Sequence, residues 1–377
     1  MPRSIRPYLE YQADRVEAVL AAHRTPARVT GGTVGPRLIR FFLNPAPHIR
    51  FAAIRNLADD LALALRVPTL RIDRGKEGVV LEFSNPNPRA VTLLALLPEV
   101  TPLPAATAVL GLTDDGVPLL ARLSSPQVAH VLIAGTTGSG KSALLRTMAA
   151  SLVLGHAAEG LRLVCLDPKG RTFQGLVGAP HLARAPVTEG AEMLEVLRSL
   201  VRTMEHRDRL GERPPGPGDG REAAPRIVVP RIVVPRIVVP RIVVFIDELA
   251  DLVMLGDKVV TEALTRLVQR GREAGVHVVA ATQHPSAAIL SGVMRANFPL
   301  RLVGKVVSAD DARVASGRAG TNAHLLNGRG DFLAVSGGDA PLRFQVGYIG
   351  DKELREQVKE LTRPTSDVIR QALTHDV

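Results

Sequence analysis

The chain has 377 residues, 46% hydrophobic and 22% charged, a balance that excludes a mainly disordered protein and leaves room for two domains. Its 47 Lys and Arg against 37 Asp and Glu give a net charge of +10, which suits a polyanionic partner, nucleic acid first among them. No apolar run approaches the ~18–20 residues of a membrane-spanning helix, and the single Cys165 excludes a disulfide framework or a cysteine-rich zinc site.

The opening MPRSIRPYLEYQADR lacks the apolar core of a secretory leader, so a cytoplasmic location is expected. Forty of the basic residues are Arg, the residue suited to bidentate phosphate contacts; an Arg- and Ala-rich composition reads equally as the mark of a GC-rich genome. Aromatics make up 3% with no Trp, which disfavours base-stacking platforms for single strands. A duplex held through its phosphates fits better.

In chain order, residues 1–34 read as an N-terminal helical segment, loosely docked. Residues 35–119 read as a small α+β domain. RLIRFFL gives a strand, IRNLADDLALALRV an amphipathic helix, and TLRIDRG and GVVLEFS two strands about a turn. The Pro-rich stretch from Leu96 to Leu123 then supplies linker and approach strands. From 120 to 350, apolar runs alternate with helical segments: HVLIAG, LRLVCLD, RIVVFID, VHVVAAT and LRLVGKV. Strands that are continuous Val, Ile, Leu and Ala belong to a mainly parallel sheet flanked by helices, an α/β core. DFLAVSG and LRFQVGYIG predict closing strands, and 351–377 a C-terminal helical tail. PRIVV stands four times in tandem over 225–244. A proline every fifth residue blocks a long helix or central strand, so only the last copy, leading into FIDE, is expected in the core. The copies over 225–239 are expected as a loop insertion, read as a tandem duplication.

GTTGSGKS, residues 135–142, follows an apolar strand and opens a helix, the setting of a phosphate-binding loop. Gly135, Gly138 and Gly140 let the backbone of Gly135, Thr136, Thr137, Gly138, Ser139 and Gly140 wrap an ATP phosphate chain. Lys141 is expected to reach the β- and γ-phosphates, and the Ser142 hydroxyl to ligate Mg²⁺. The competing reading is a chance glycine-rich turn. VVFIDE ends a buried strand in two carboxylates. Asp247 is expected to hold the Mg²⁺ shell and Glu248 to polarise the attacking water; an acidic helix start is the alternative. Gln283, at the tip of VHVVAATQ, is a candidate γ-phosphate sensor or a simple strand-end cap.

With these segments in order, the sequence resembles the motor module of the FtsK/SpoIIIE family of DNA translocases over about residues 35–350. The shared stretches are GPRLIRFFLNPAP, IRNLADDLALAL, HVLIAGTTGSGKS, LDPKG, GAPHLARAPVTE, MEHRDRL, VVFIDELADLVM, AATQHPS, ANFPLRL, DDAR and NGRGDFL. The resemblance implies a RecA-like P-loop ATPase fold and a ring, usually hexameric, that pumps double-stranded DNA. It implies that Arg301 is an arginine finger entering the neighbouring subunit's site, and that Arg313 contacts DNA phosphates in the pore, with Arg318 and Arg329 as further candidates. A surface or structural ion pair is the alternative for each. His284 stands where the family commonly has Arg. No four-span anchor is read upstream, and the 27 residues after 350 are too few for a winged-helix module, so a bare motor is expected. Two other readings are a motor for protein secretion and a nucleotide-gated DNA-binding scaffold with negligible turnover.

Overall fold

The computed structural model describes residues 5–68, 70–75, 78–214, 239–285 and 292–363. Its contacts divide the chain into two units, Met1–Ala90 with Leu112–Val117, and Val91–Gly111 with Pro118–Val377.

The first unit contains α1 (Arg6–Ala22), β1 (Ala27–Val34), β2 (Leu38–Pro45), α2 (Phe51–Arg55), α3 (Ala58–Leu65), β3 (Leu70–Gly75) and β4 (Gly78–Ser84). Its antiparallel sheet has the order β1-β2-β4-β3. Alternation along β2 and β4 puts Ile39, Phe41 and Leu43 beside Val79, Leu81 and Phe83 on a buried face, as period-two patterning requires. The Phe41 and Phe83 rings meet edge to face at 5.2 Å. Val16 and Leu20 of α1 and Leu61 of α3 are fully buried in the same core.

Three sequence expectations change here. Residues 1–34 are not helical throughout, because Ala27–Val34 pairs with β2 as a strand, and α1 is docked by two fully buried side chains rather than loosely. The amphipathic helix over 54–67 is interrupted at Asn56–Leu57 into α2 and α3. The small domain does not run 35–119. It takes Leu112–Val117 through the half-buried Arg40, which pairs with Glu82, Asp114 and Asp115, while Val91–Gly111 belongs to the second unit.

The second unit holds α4 (Leu93–Val100), β5 (Thr107–Thr113), β6 (Pro118–Arg122), β7 (Val131–Ala134), α5 (Lys141–Gly155), β8 (Leu161–Leu166), α6 (Gly190–Leu210) and β9 (Arg241–Ile246). It continues through α7 (Leu249–Arg270), β10 (Val276–Thr282), α8 (Gly292–Ala296), β11 (Leu300–Val303), α9 (Ala309–Ser316), β12 (Asp331–Ser336), β13 (Leu342–Val346) and α10 (Asp351–Leu361). One nine-stranded sheet runs β6-β5-β13-β12-β11-β7-β10-β9-β8. Strands β11, β7, β10, β9 and β8 are mutually parallel, and β12 and β13 extend the sheet antiparallel. Every residue of β7 and β10 is buried, which is why these strands carry no alternation.

Helix α6 turns Met193, Val196, Leu197, Leu200, Val201 and Met204 inward at helical spacing, into a core shared with α7 and β9. The fourth PRIVV copy supplies β9, as its run into FIDE predicts; residues 225–238 lie outside the described residues, as do 364–377 of the predicted tail. Among the described residues, no helix is long and apolar enough to cross a membrane.

Candidate active site

The register of the parallel strands sets Thr282 opposite Ala134, Ala280 opposite Ile246 and Leu166 opposite Ile246. The segments that follow β7, β10, β9 and β8 therefore leave from one edge of the sheet, the carboxyl edge where open α/β sheets bind ligands. The turn after β7 is the 135–142 loop. Gly140 has φ +105° and caps α5, which begins at Lys141, and a Cβ on Gly140 would stand 2.6 Å from the Gly330 nitrogen. Only glycine meets both demands. The loop is anchored on two sides: Thr136 donates its N–H and its hydroxyl to the Lys305 carbonyl at 2.8 and 3.0 Å. Arg329 N–H donates to the Gly138 carbonyl at 2.9 Å and Gly330 N–H to that of Ser139 at 2.8 Å. These bonds engage carbonyl oxygens that would otherwise repel a phosphate.

The acidic pair stands at the tip of β9, with β10 and Gln283 between it and β7. The Ser142 hydroxyl donates to Asp247 Oδ1 at 3.1 Å. Glu248 is 3% exposed; it accepts the Gln283 N–H on both oxygens at 3.2 Å and caps α7 through Ala250 N–H. The Gln283 side-chain carbonyl in turn accepts from the Thr137 hydroxyl at 2.8 Å. Loop, acidic pair and Gln283 thus form one connected network, and the predicted Lys141, Ser142, Asp247, Glu248 and Gln283 meet at one place. Burial pushes the Asp247 carboxyl up, and the neighbouring Asp167 carboxylate adds to it, against hydrogen bonds from Thr172 and Ser142 and the charge of Lys169. Burial pulls the Lys141 ammonium down, opposed by Glu248 and Asp247. The Ser142 hydroxyl beside the Asp247 carboxylate is an all-oxygen donor set that fits a hard divalent cation.

Two members of this site went unassigned from sequence. Asp167 follows β8 as Asp247 follows β9; it is fully buried and accepts Thr172 N–H at 2.8 Å. Lys169 pairs with Asp251 at 3.8 Å. The acid at the tip of a second buried strand was the available signal.

The arginines divide. Arg301 lies within β11 opposite Leu132, part-buried, donating to the Arg295 carbonyl at 2.8 Å; burial and then Arg295 depress its pKa. That register sets it two residues before the tip at Ala134, apart from its own chain's phosphate loop. Arg313 sits on α9 with its side chain 61% exposed, paired to Asp310 at 3.5 Å. Arg318 donates to the Asp339 carbonyl. Arg329, a further DNA candidate by sequence, also puts its backbone N–H on the phosphate loop. His284 donates its N–H to the Thr282 hydroxyl at 3.1 Å. It lines, with Thr136, Thr137, Gln283 and Asp311, a cavity of about 550 Å³.

The sequence matches the FtsK/SpoIIIE family over residues 104–212 and 235–287 and the FtsK alpha domain over 4–85. It is 32% identical to the DNA translocase FtsK of Brucella suis over 98% of this chain and 46% of that protein. It is 31% identical to that of Listeria monocytogenes over 93% and 47%. The chain thus spans about half the length of the curated relatives it matches. Among solved structures, the pCW3 conjugation coupling protein TcpA with ATPγS superposes with a TM-score of 0.61 at 20% identity, over 94% of this chain and 100% of that one. The Type VII secretion ATPase EccC of Thermomonospora curvata reaches 0.57 at 26% identity, over 72% and 34%.

Proposed function

Because the chain belongs to the FtsK/SpoIIIE family, we propose that it is a cytoplasmic ATPase that moves double-stranded DNA through a ring of its own copies, six in number. The observation that carries this is the network from Thr137 through Gln283 to Glu248, set beside the Ser142–Asp247 pair. It supports the reading by bringing to one edge of the sheet the 135–142 loop, a hydroxyl–carboxylate pair, a buried carboxylate and a polar group bonded to both loop and carboxylate.

In this reading the 135–140 backbone and the positive end of α5 hold the phosphates, and the Lys141 ammonium neutralises charge on the β- and γ-oxygens. Mg²⁺ held by Ser142 and Asp247 supplies further charge neutralisation when bound. Glu248 polarises the attacking water, and Gln283 senses the γ-phosphate. Arg301 completes the site of the adjacent subunit, so turnover requires assembly. Duplex phosphates are held by Arg313, with Arg318 and Arg329 adding to the basic surface. Contacts of this kind carry no sequence information, as a motor that passes every sequence requires.

The test is phosphate release by the full chain with and without duplex DNA. Turnover that rises with duplex and falls steeply with salt is expected. The likeness to EccC makes protein the second candidate substrate, and the net charge of +10 favours DNA over it. Stimulation by a protein substrate but not by duplex would reverse the assignment. Absence of turnover in both arms would leave a nucleotide-gated DNA-binding scaffold.

A further inference from the structure

We infer that Asp331 and Arg343 are positioning residues for the phosphate loop, acting through the turn Asn327–Gly330. The turn lies directly against the loop. Besides the Arg329 and Gly330 N–H bonds to the Gly138 and Ser139 carbonyls, the two backbones touch with no side chain between them. A Cβ on Gly140 would meet Gly330 N at 2.6 Å, and one on Gly328 would meet the Gly138 carbonyl at 3.3 Å.

The turn holds an unfavourable shape. Arg329 has φ +52° and Gly330 φ +90°, and the left-handed region is disfavoured for a non-glycine residue. What fixes it is the Asp331 carboxylate. Its Oδ2 accepts the Asn327 N–H at 2.8 Å, closing the turn from its first residue to the one that follows it. The same carboxylate is gripped in a fork by Arg343, Nε to Oδ1 and Nη2 to Oδ2, both at 2.8 Å. The two side chains are only 7% and 8% exposed, so the pair is shielded from water and a bidentate geometry sets direction as well as distance. From β13, Gln345 Nε2 donates to the Arg329 carbonyl at 3.1 Å and Val346 N–H to that of Gly330 at 2.8 Å. The line therefore runs from Arg343 to Asp331, to the turn, to the carbonyls of the phosphate loop. Neither charged residue belongs to the loop it positions. Their effect falls on nucleotide affinity, because a loop whose carbonyls are released can turn them toward the phosphates.

The inference rests on nucleotide binding at residues 135–142. The experiment is equilibrium binding of a fluorescent ADP with Mg²⁺ to the full chain, followed by steady-state ATPase kinetics. The variants are Asp331→Asn, Arg343→Lys, both together, and Leu200→Ala, which empties part of the α6 core elsewhere in the unit. Each single change at the pair is expected to weaken ADP binding about ten-fold, the scale of one charge-assisted hydrogen bond. The double change should be no worse than Asp331→Asn alone, since the two act as one unit. KM for ATP should rise with that loss while kcat stays within about two-fold of the parent.

Leu200→Ala should lose thermal stability and keep its ADP affinity. Faster amide exchange in the 135–142 peptide of Arg343→Lys is expected alongside. Wild-type affinity in Arg343→Lys, or an equal loss in Leu200→Ala, overturns the inference; if Asp331→Asn does not fold, Arg343→Lys decides it. A wild-type chain that binds no ADP overturns the nucleotide reading itself, a separate outcome.

Discussion

Both carboxylate oxygens of Glu248 accept the same N–H, that of Gln283, at 3.2 Å. The residue proposed to activate water and the residue proposed to sense the γ-phosphate therefore share one hydrogen bond, and Gln283 passes it on to Thr137 of the phosphate loop. In the proposed function, a change at the phosphate would reach Glu248 through this one residue.

Glu248→Gln keeps an acceptor for that N–H and for the α7 cap but cannot take a proton. It should bind nucleotide like the parent and hydrolyse it on the order of 10²-fold more slowly or worse. Gln283→Ala leaves its own N–H on Glu248 and deletes only the Thr137 bond, so its loss should be smaller, about ten-fold. Single-turnover phosphate release beside equilibrium nucleotide binding separates the two.

Arg301 lies within β11 with its guanidinium on the Arg295 carbonyl, and its proposed contribution is to another subunit. Arg301→Ala should bind nucleotide normally and turn over slowly. Mixing it with Glu248→Gln subunits should recover part of the activity at hybrid interfaces, each supplying what the other lacks. Mixed rings verified by mass spectrometry that show no recovery would place Arg301 in a structural role.

Arg313 is exposed and paired with a neighbouring surface acid, an ion pair worth at most about 1 kcal/mol, so it can be recruited by phosphate at little cost. Arg313→Ala should weaken duplex binding evenly across unrelated sequences and reduce the slope of log affinity against log salt by about one for each contact removed. Fluorescence anisotropy at several salt concentrations reads both. An effect confined to one DNA sequence would contradict a backbone contact.

A pH dependence follows from two buried histidines. His130 accepts the Val278 N–H on Nδ1, and burial lowers its pKa to about 4. His277 sits between the Ala129 carbonyl and the Arg241 guanidinium; burial, then His130 and Arg241, lower it to about 3. Both are neutral when folded and titrate near 6.5 when unfolded, so the unfolded state gains protons as the pH falls. Their contribution is complete above pH 6.5 and is lost below it, by about 1.4 kcal/mol per pH unit for each histidine. Asp247, raised, works in the opposite sense in the carboxylate range, so the histidine slope is best read above pH 5. His277→Gln should remove part of that slope in urea midpoints measured from pH 7 to 5, with His130 and His181, which burial also lowers, keeping the rest.

The catalytic edge of the sheet was legible because each part is local. A glycine-rich run after VLIA, two acids after RIVVFI and a glutamine after VHVVAAT are strand-tip signals, and a parallel sheet brings tips together whatever the loops do. What sequence missed was set at long range. Ala27–Val34 carries Val29, Thr30, Thr33 and Val34, but the adjacent Gly31 and Gly32 break the pattern in the middle; pairing with β2 carries the strand across them. The unit boundary within 90–118 depends on Arg40 reaching Asp114, 74 residues away. Asp331 reads as a strand's first residue, and only Arg343 across β12 and β13 shows why a carboxylate stands there. Arg329 stands among the DNA candidates for lying near Arg313 in sequence; that its backbone also bonds to Gly138 is invisible to any such reading.

Thr136 grips Lys305, and Gly138 receives Arg329. Everything between those anchors, α9 with Arg313 included, is a handle riveted at both ends to three consecutive residues of the cradle. Between the rivets the handle is braced as well, since Val306, Ala312, Ala315, Ala323 and Leu326 share a buried cluster with Ala134, Val303, Leu333 and Val335. In the proposed function, a displacement of Thr136–Gly138 would therefore reach Arg313 through a stiff excursion and not through a hinge.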